Sequence, residues 1–114
     1  MGSEQLKELV VNAIEEMKGN NLKVLDVRDL TSVTDFMIIT SGTSSRHVKS
    51  LAENVVKCCK ANRIRPIGIE GDGKAEWVLV DLGGAVVHIM LPATRQFYDI
   101  ERLWASTPEV IATR

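Results

Sequence analysis

Apolar residues recur along the chain at two spacings, and each spacing predicts one type of element. A helical spacing of three and four positions marks residues 6–17, which end at Gly19-Asn20-Asn21, and residues 46–60, which end at 62–66. Short apolar runs at 23–28 (KVLDVR), 36–40 (FMIIT) and 66–70 (PIGIE) are typical of strands. The run at 36–40 is continuous, as in a central strand that is buried on both faces.

Residues 76–92 (EWVLVDLGGAVVHIMLP) predict a β-hairpin that is apolar on both faces. Gly83-Gly84 forms the turn, because glycine tolerates the positive backbone angles of a tight turn. The register set by this turn pairs the following residues across the two strands: Leu82 with Ala85, Asp81 with Val86, Leu79 with His88, and Trp77 with Met90. One face is then wholly apolar and predicts the core face: Val78, Val80, Leu82, Ala85, Val87, Ile89 and Leu91. The other face adds an acid and an imidazole, so either a second layer or a partner must cover it.

The C-terminal region predicts a short helix at 97–105 (FYDIERLWA), with Phe97, Ile100, Leu103 and Trp104 facing inward. After Pro108 we expect a weak helical turn or disorder. The element order is therefore α-β-β-α-β-β-β-α, which predicts a single α/β (α+β) domain over 1–114. Its mixed sheet has about five strands with helices packed on it. So few helices leave part of one sheet face thinly covered, and that part is a candidate binding surface.

Charge and hydrophobicity narrow the classes of partner. The formal net charge of −1 argues against a dominant attraction to nucleic acid, although it leaves a local basic patch open. No apolar run approaches the roughly 20 residues that span a bilayer, so we expect no membrane association. Cys58 and Cys59 are neighbours on a predicted helix and point apart, which disfavours a disulfide. A cytoplasmic location fits these features.

The sequence gives little support for catalysis. The loop 41–45 (SGTSS) could offer N–H groups to a phosphate, but it lacks the lysine of a P-loop, and a capped helix start is favoured. Glu53 and Asp81 cannot by themselves build the two-metal site of a nucleotidyltransferase. We expect His47 to be solvated or to cap its helix, and His88 to be a hydrogen-bonded structural residue. We therefore expect no catalytic residue, no metal and no cofactor, with nucleotide binding by 41–45 as the rival hypothesis.

Trp77 is the strongest candidate for a binding residue. It lies on the second face of the hairpin near Leu79, Asp81 and Met90. Tryptophan often anchors protein interfaces, especially beside a charged group that fixes the register. Packing of Trp77 under a loop or under the C-terminal helix is the ordinary alternative. A homodimer interface is a third interpretation of the same face.

Five segments together carry a joint pattern: 35–48 (DFMIITSGTSSRHV), 70–71 (EG), 77–81 (WVLVD), 86–90 (VVHIM) and 95–104 (RQFYDIERLW). In this combination they resemble the ribosomal silencing factor family, RsfS, also called Iojap, over nearly the whole chain. The resemblance implies a fold similar to that of nucleotidyltransferases but without their catalytic carboxylates. It also implies binding to ribosomal protein L-fourteen on the large ribosomal subunit. That binding blocks association with the small subunit and represses translation when nutrients are scarce.

The resemblance further implies a homodimer in the free state. From the net charge we expect no direct nucleic-acid specificity. The residues expected to bind the ribosomal protein are Trp77, Leu79, Asp81, Leu82 and Met90. Trp77 would be the apolar anchor, and Asp81 would face a Lys or Arg of the partner. At the hairpin tip the family typically has Tyr-Gly-Asp, whereas this chain has Leu82-Gly83-Gly84. The turn glycine is kept, but the aromatic and the acid of the family's hairpin tip are missing.

Overall fold

The order of helices and strands follows the hydrophobic pattern, with one short strand added near the end of the chain. The computed structural model describes residues 2–71 and 73–104, together with the backbone of 109–110. Its helices are α1 (Ser3–Glu16), α2 (Ser45–Ala61), α3 (Pro92–Tyr98) and a 3₁₀ helix (Ile100–Trp104). Its strands are β1 (Asn20–Asp26), β2 (Phe36–Ser41), β3 (Gly68–Gly71), β4 (Trp77–Asp81), β5 (Ala85–Met90) and β6 (Glu109–Val110).

The strands form one mixed sheet in the order β3-β4-β5-β2-β1-β6. β2 and β5 run parallel at its centre, and the other pairs are antiparallel. Every residue of β2 is buried, because helices cover both faces of the sheet there, so the prediction of a central strand is confirmed. The tail prediction was wrong at Glu109–Val110, whose backbone pairs with β1. The remainder of the predicted tail lies outside the described residues.

The larger core lies between α1, α2 and one face of the sheet. The inward stripe of α2 is fully buried at Val48, Leu51, Val55 and Cys59, as its helical spacing predicted. The predicted core face of the hairpin meets this stripe, and all of its members pack in or against the same cluster. Burial of one continuous apolar layer on two amphipathic helices is the main stabilising feature of the fold.

The hairpin has the predicted turn and register. Gly83 has a φ of 85°, a conformation that favours glycine, and the N–H of Leu82 donates to the carbonyl oxygen of Ala85 over 2.9 Å. From this turn outward β4 and β5 pair residue by residue as the sequence predicted, as far as Trp77 opposite Met90. The turn chemistry therefore determines which side chains of the hairpin face the larger core.

The second face of the sheet is covered only in part. Ile100 and Trp104 pack there against a smaller buried cluster: Leu25, Val27, Met37, Ile39 and Met90. The prediction of one helix at 97–105 with Phe97 and Leu103 inward was wrong, since both side chains are 79% exposed. The α-helix ends at Asp99, which has a left-handed φ of 46°. The break separates α3 from the 3₁₀ helix, so no single helical stripe runs through 97–105.

Candidate partner-binding surface

Trp77 begins β4 on the second face and is half-buried between two rings. Its Nε1–H donates to Nδ1 of His88 over 3.0 Å, and the two ring centroids are 5.9 Å apart. The ring of Tyr98 lies on it at a centroid distance of 5.0 Å. These contacts hold the indole in one orientation while part of it stays accessible to solvent.

His88 is uncharged at neutral pH. Burial lowers the pKa of its imidazole to about 4, because removing the ring from water disfavours the charged form. Neutral His88 keeps a lone pair on Nδ1, which accepts the hydrogen bond of Trp77. The prediction of a hydrogen-bonded structural histidine is confirmed, and its partner shows that His88 positions Trp77.

An open groove runs beside Trp77 at the edge of the sheet. Trp77, Leu79, Glu70 and Gly71 line this cavity of about 310 Å³, and Glu70 lies opposite Leu79 in the β3–β4 register. Asp81 follows on the same face of β4, where its Oδ1 accepts the N–H of Gly83 over 2.9 Å. Glu70 thus borders the groove, and Asp81, which also stabilises the hairpin turn, lies farther along the same face of β4.

Two exposed aromatic residues that the sequence pattern did not predict extend this surface. Phe97 and Tyr98 are both exposed and meet edge to face at a centroid distance of 5.0 Å. We name Trp77, Leu79, Phe97 and Tyr98 together the aromatic surface. The signal that could have revealed Phe97 was Pro92, since proline favours the first turn of a helix. The helix that begins at Pro92 ends at Tyr98, and it presents Phe97 to solvent instead of to the core.

Two of the five residues predicted to bind a partner are buried. Leu82 is 6% exposed and faces the larger core, while Met90 is 0% exposed and lies in the smaller cluster. Neither offers surface to a partner in this structure. Leu82 lies next to the turn on the core face, and Met90 is covered by the packing of Ile100 and Trp104 on the smaller cluster. Trp77, Leu79 and Asp81 do lie together on the open part of the second face.

The loop 41–45 is a capped helix start rather than a phosphate cradle. Ser44 is the N-cap of α2, and its Oγ accepts the N–H of His47 over 3.1 Å. The N–H of Gly42 donates to Met90 O over 3.0 Å, and that of Thr43 donates to His47 Nδ1 over 2.8 Å. Protein groups therefore accept from three N–H groups at this helix start, those of Gly42, Thr43 and His47. The capping interpretation is confirmed.

His47 has a structural role that the sequence did not predict. Besides accepting from the N–H of Thr43, its ring donates through Nε2 to the carbonyl oxygen of Met17 over 2.7 Å. It thereby links the start of α2 to the end of α1 instead of being solvated. Within the described part of the chain, no three His, Cys, Asp or Glu side chains are grouped to hold a metal. None of the helices described there could span a membrane.

Comparison with known proteins places the chain in a family. Residues 1–114 match the profile of the RsfS family, described as "Ribosomal silencing factor during starvation". The chain belongs to the RsfS family. A ribosomal silencing factor RsfS from Chromobacterium violaceum is 44% identical over 104 residues, which cover 91% of this chain and 85% of that protein. The Haemophilus influenzae RsfS is 43% identical over 100 residues, which cover 88% of this chain and 98% of that protein.

Solved structures of two similar proteins share the fold. A crystal structure from Chromobacterium violaceum superposes with a TM-score of 0.90 at 41% identity, covering 100% of this chain and 95% of that one. A crystal structure from Bacillus halodurans gives a TM-score of 0.86 at 32% identity, covering 96% and 99%. The RsfS assignment and the fold class predicted from the sequence are both confirmed. The likeness to nucleotidyltransferases stays a prediction.

Proposed function

We propose that this RsfS-family protein docks its aromatic surface on ribosomal protein L-fourteen of the large ribosomal subunit. The bound protein blocks association with the small subunit and so represses translation in the cytoplasm, especially when nutrients are limiting. One observation carries the choice of surface. Trp77 is fixed by His88 and Tyr98 beside an apolar groove, and yet it remains partly exposed.

The physical argument rests on desolvation around a rigid anchor. Trp77, Phe97 and Tyr98 offer a connected aromatic area, and such residues supply much of the binding energy at protein interfaces. An indole already held in place loses little conformational entropy on docking, which favours affinity. Glu70 and Asp81 lie next to this area and suit a partner that presents Lys or Arg, as charge complementarity requires.

The names of the relatives support the ribosome as the target. In addition to the bacterial RsfS proteins, a mouse protein named "Mitochondrial assembly of ribosomal large subunit protein 1" is 34% identical over 100 residues. Those residues cover 85% of this chain and 44% of the mouse protein. The mouse name specifies the large subunit. A factor seated on the subunit's joining face would repress translation by steric exclusion, without needing catalysis.

Co-sedimentation with isolated ribosomal subunits tests this proposal. Wild type is expected to bind the large subunit and not the small one. Replacing Trp77→Ala is expected to weaken binding by about thirtyfold or more, since truncating a central tryptophan costs about 2 kcal/mol or more. Leu30→Ala is the matched control, because Leu30 is an exposed apolar residue on the loop between β1 and β2. Undiminished binding by Trp77→Ala would rule out this surface.

We also propose that the free protein forms a homodimer through the same apolar area. Two copies that bury Trp77 against each other would shield it from water until the ribosome competes for it. Sedimentation velocity of wild type and of Trp77→Ala tests whether the dimer forms through this area, because the variant should then be monomeric. A dimer that persists in the variant would move the self-association to another face and leave the aromatic surface free for the ribosome.

A further inference from the structure

A second surface, at the opposite face of the β3 edge, is strongly basic. Residues 54–69 contain Lys57, Lys60, Arg63 and Arg65 and no acidic residue, although the whole chain has a net charge of −1. All four side chains are exposed. Within the described residues, none of the four takes part in an ion pair. Their charges are therefore available to an external anion.

The end of α2 holds these cations in a defined arrangement. The N–H of Arg63 donates to Lys60 O over 3.0 Å, and that of Ile64 donates to Cys59 O over 2.8 Å. The Nδ2 of Asn62 donates to Cys58 O over 2.9 Å. These bonds tie the loop to the last turn of the helix, so the basic side chains project from a fixed backbone rather than from a loose segment.

Structural roles do not account for all of these cations. Lys60 lies in the last turn of α2, where a positive charge stabilises the helix dipole. Arg63 and Arg65 lie beyond the helix. Arg63 has a left-handed φ of 63°, at a position where glycine or asparagine would fit the backbone better. Backbone geometry therefore does not explain an arginine there.

Three of the four basic residues line a broad groove of about 790 Å³ along the β3 edge. Lys60, Arg63 and Arg65 lie on its wall with Pro66, Gly68 and Ile69. β3 is the outermost strand on this side of the sheet, so no further strand in the described part of the chain closes the groove there. No aromatic side chain is among these lining residues, and the groove therefore lacks the stacking platforms that read single-stranded bases.

We propose that this groove binds the sugar-phosphate backbone of double-helical RNA without reading its sequence. Several unpaired cations along an open groove suit a row of phosphates, and they leave base identity unread. The proposal rests on the function proposed above, because RNA is the abundant polyanion on the surface of a ribosomal subunit. An acidic protein segment is the other occupant of the same charge, and the test distinguishes the two.

The groove is placed to act together with the aromatic surface. Ile69 lies opposite Val80 in the β3–β4 register and thus shares the helix-covered face, whereas Glu70 lies opposite Leu79 on the second face. The groove and the aromatic surface therefore lie on opposite faces of the edge strand β3. A subunit that presents protein to the aromatic surface can present RNA to the groove across this edge.

The test compares Arg63→Gln/Arg65→Gln with Lys18→Gln/Lys49→Gln, which removes two exposed cations elsewhere. Both double variants carry a net charge of −3, since each loses two positive charges from −1. Fluorescence anisotropy with a labelled, protein-free RNA duplex measures affinity between about 50 and 200 mM salt. The groove variant is expected to bind about tenfold more weakly at low salt. Its plot of log affinity against log salt should be shallower by about two, which is the loss of two phosphate contacts.

Three results of the anisotropy measurements would overturn the proposal. These are no salt-dependent binding of the duplex by wild type, equal losses in the groove and control variants, and equal binding of poly-glutamate and duplex. Co-sedimentation with large subunits separates this inference from the function. Unchanged subunit binding by the groove variant would contradict the groove alone, whereas failure of wild type to bind subunits would contradict the function. Thermal unfolding of both variants, expected to match wild type, verifies the fold.

Discussion

The two faces of the β4–β5 hairpin are both apolar but are buried in different ways. Val80, Val87 and Ile89 face α1 and α2 and are completely enclosed. On the other face, Trp77 and Leu79 are only half-buried, although they alternate with those core residues along the same strands. An apolar strand face therefore indicates burial in general, and only the layer packed on it shows whether that burial is already complete in the monomer.

The polar groups mark the difference between the faces. The hairpin residues that face the larger core are all apolar, whereas on the second face Trp77 donates a hydrogen bond to His88. A buried imidazole without a charge costs far less than a buried cation. It also fixes the direction of the indole, which purely apolar packing would not do. On the second face, the same hydrogen bond satisfies the buried His88 and holds the partly exposed Trp77 in place.

The largest expected effect separates the two faces by stability. Ile89→Ala leaves a cavity in the larger core and is expected to lower the free energy of unfolding by about 2–5 kcal/mol. Leu79→Ala removes a half-buried side chain from the open face and is expected to cost about 1 kcal/mol or less. Urea unfolding of both variants at neutral pH measures the difference. Equal losses would mean that the second face is as tightly closed as the first.

The next effect concerns the dependence of stability on pH. The pKa of His88 falls from 6.5 to about 4 on folding, so below pH 6.5 the unfolded chain binds a proton that the folded protein excludes. Stability is therefore full above 6.5 and declines as the pH falls towards 4, by up to about 3 kcal/mol. His88→Gln keeps an acceptor for Trp77 and does not titrate. Urea unfolding across this range should give a shallower decline for the variant, and parallel declines would refute the assignment.

The smallest expected effect on stability distinguishes the exposed residues of the second face from those that pack on the smaller cluster. Phe97 is exposed and Ile100 packs on the smaller cluster. Phe97→Ala is expected to change the free energy of unfolding by no more than about 0.5 kcal/mol, while it weakens large-subunit binding. Ile100→Ala is expected to cost more stability than Phe97→Ala. The opposite order in thermal unfolding would show that α3, not the 3₁₀ helix, closes the cluster.

Sequence reasoning succeeded where one local feature controlled many positions. Gly83 fixes a turn, the turn fixes a register, and strand alternation then assigns every hairpin residue to a face. It failed for Phe97, because a break at Asp99 changed the helical phase. It also did not predict the burial of Met90, because the packing of Ile100 and Trp104 on the second face cannot be read from the pattern of β5.

By itself the sequence determined the type and order of the main elements, the core face of the hairpin, the capped start of α2 and the family. These depend on periodicity, turn chemistry and motifs, which are local along the chain. Only the tertiary structure decided that Trp77 is held by His88 and Tyr98, that Leu82 and Met90 are buried, and that the cations after α2 line a groove beside β3. Such features depend on which distant segments pack together, and the covering of a surface is a property of that packing.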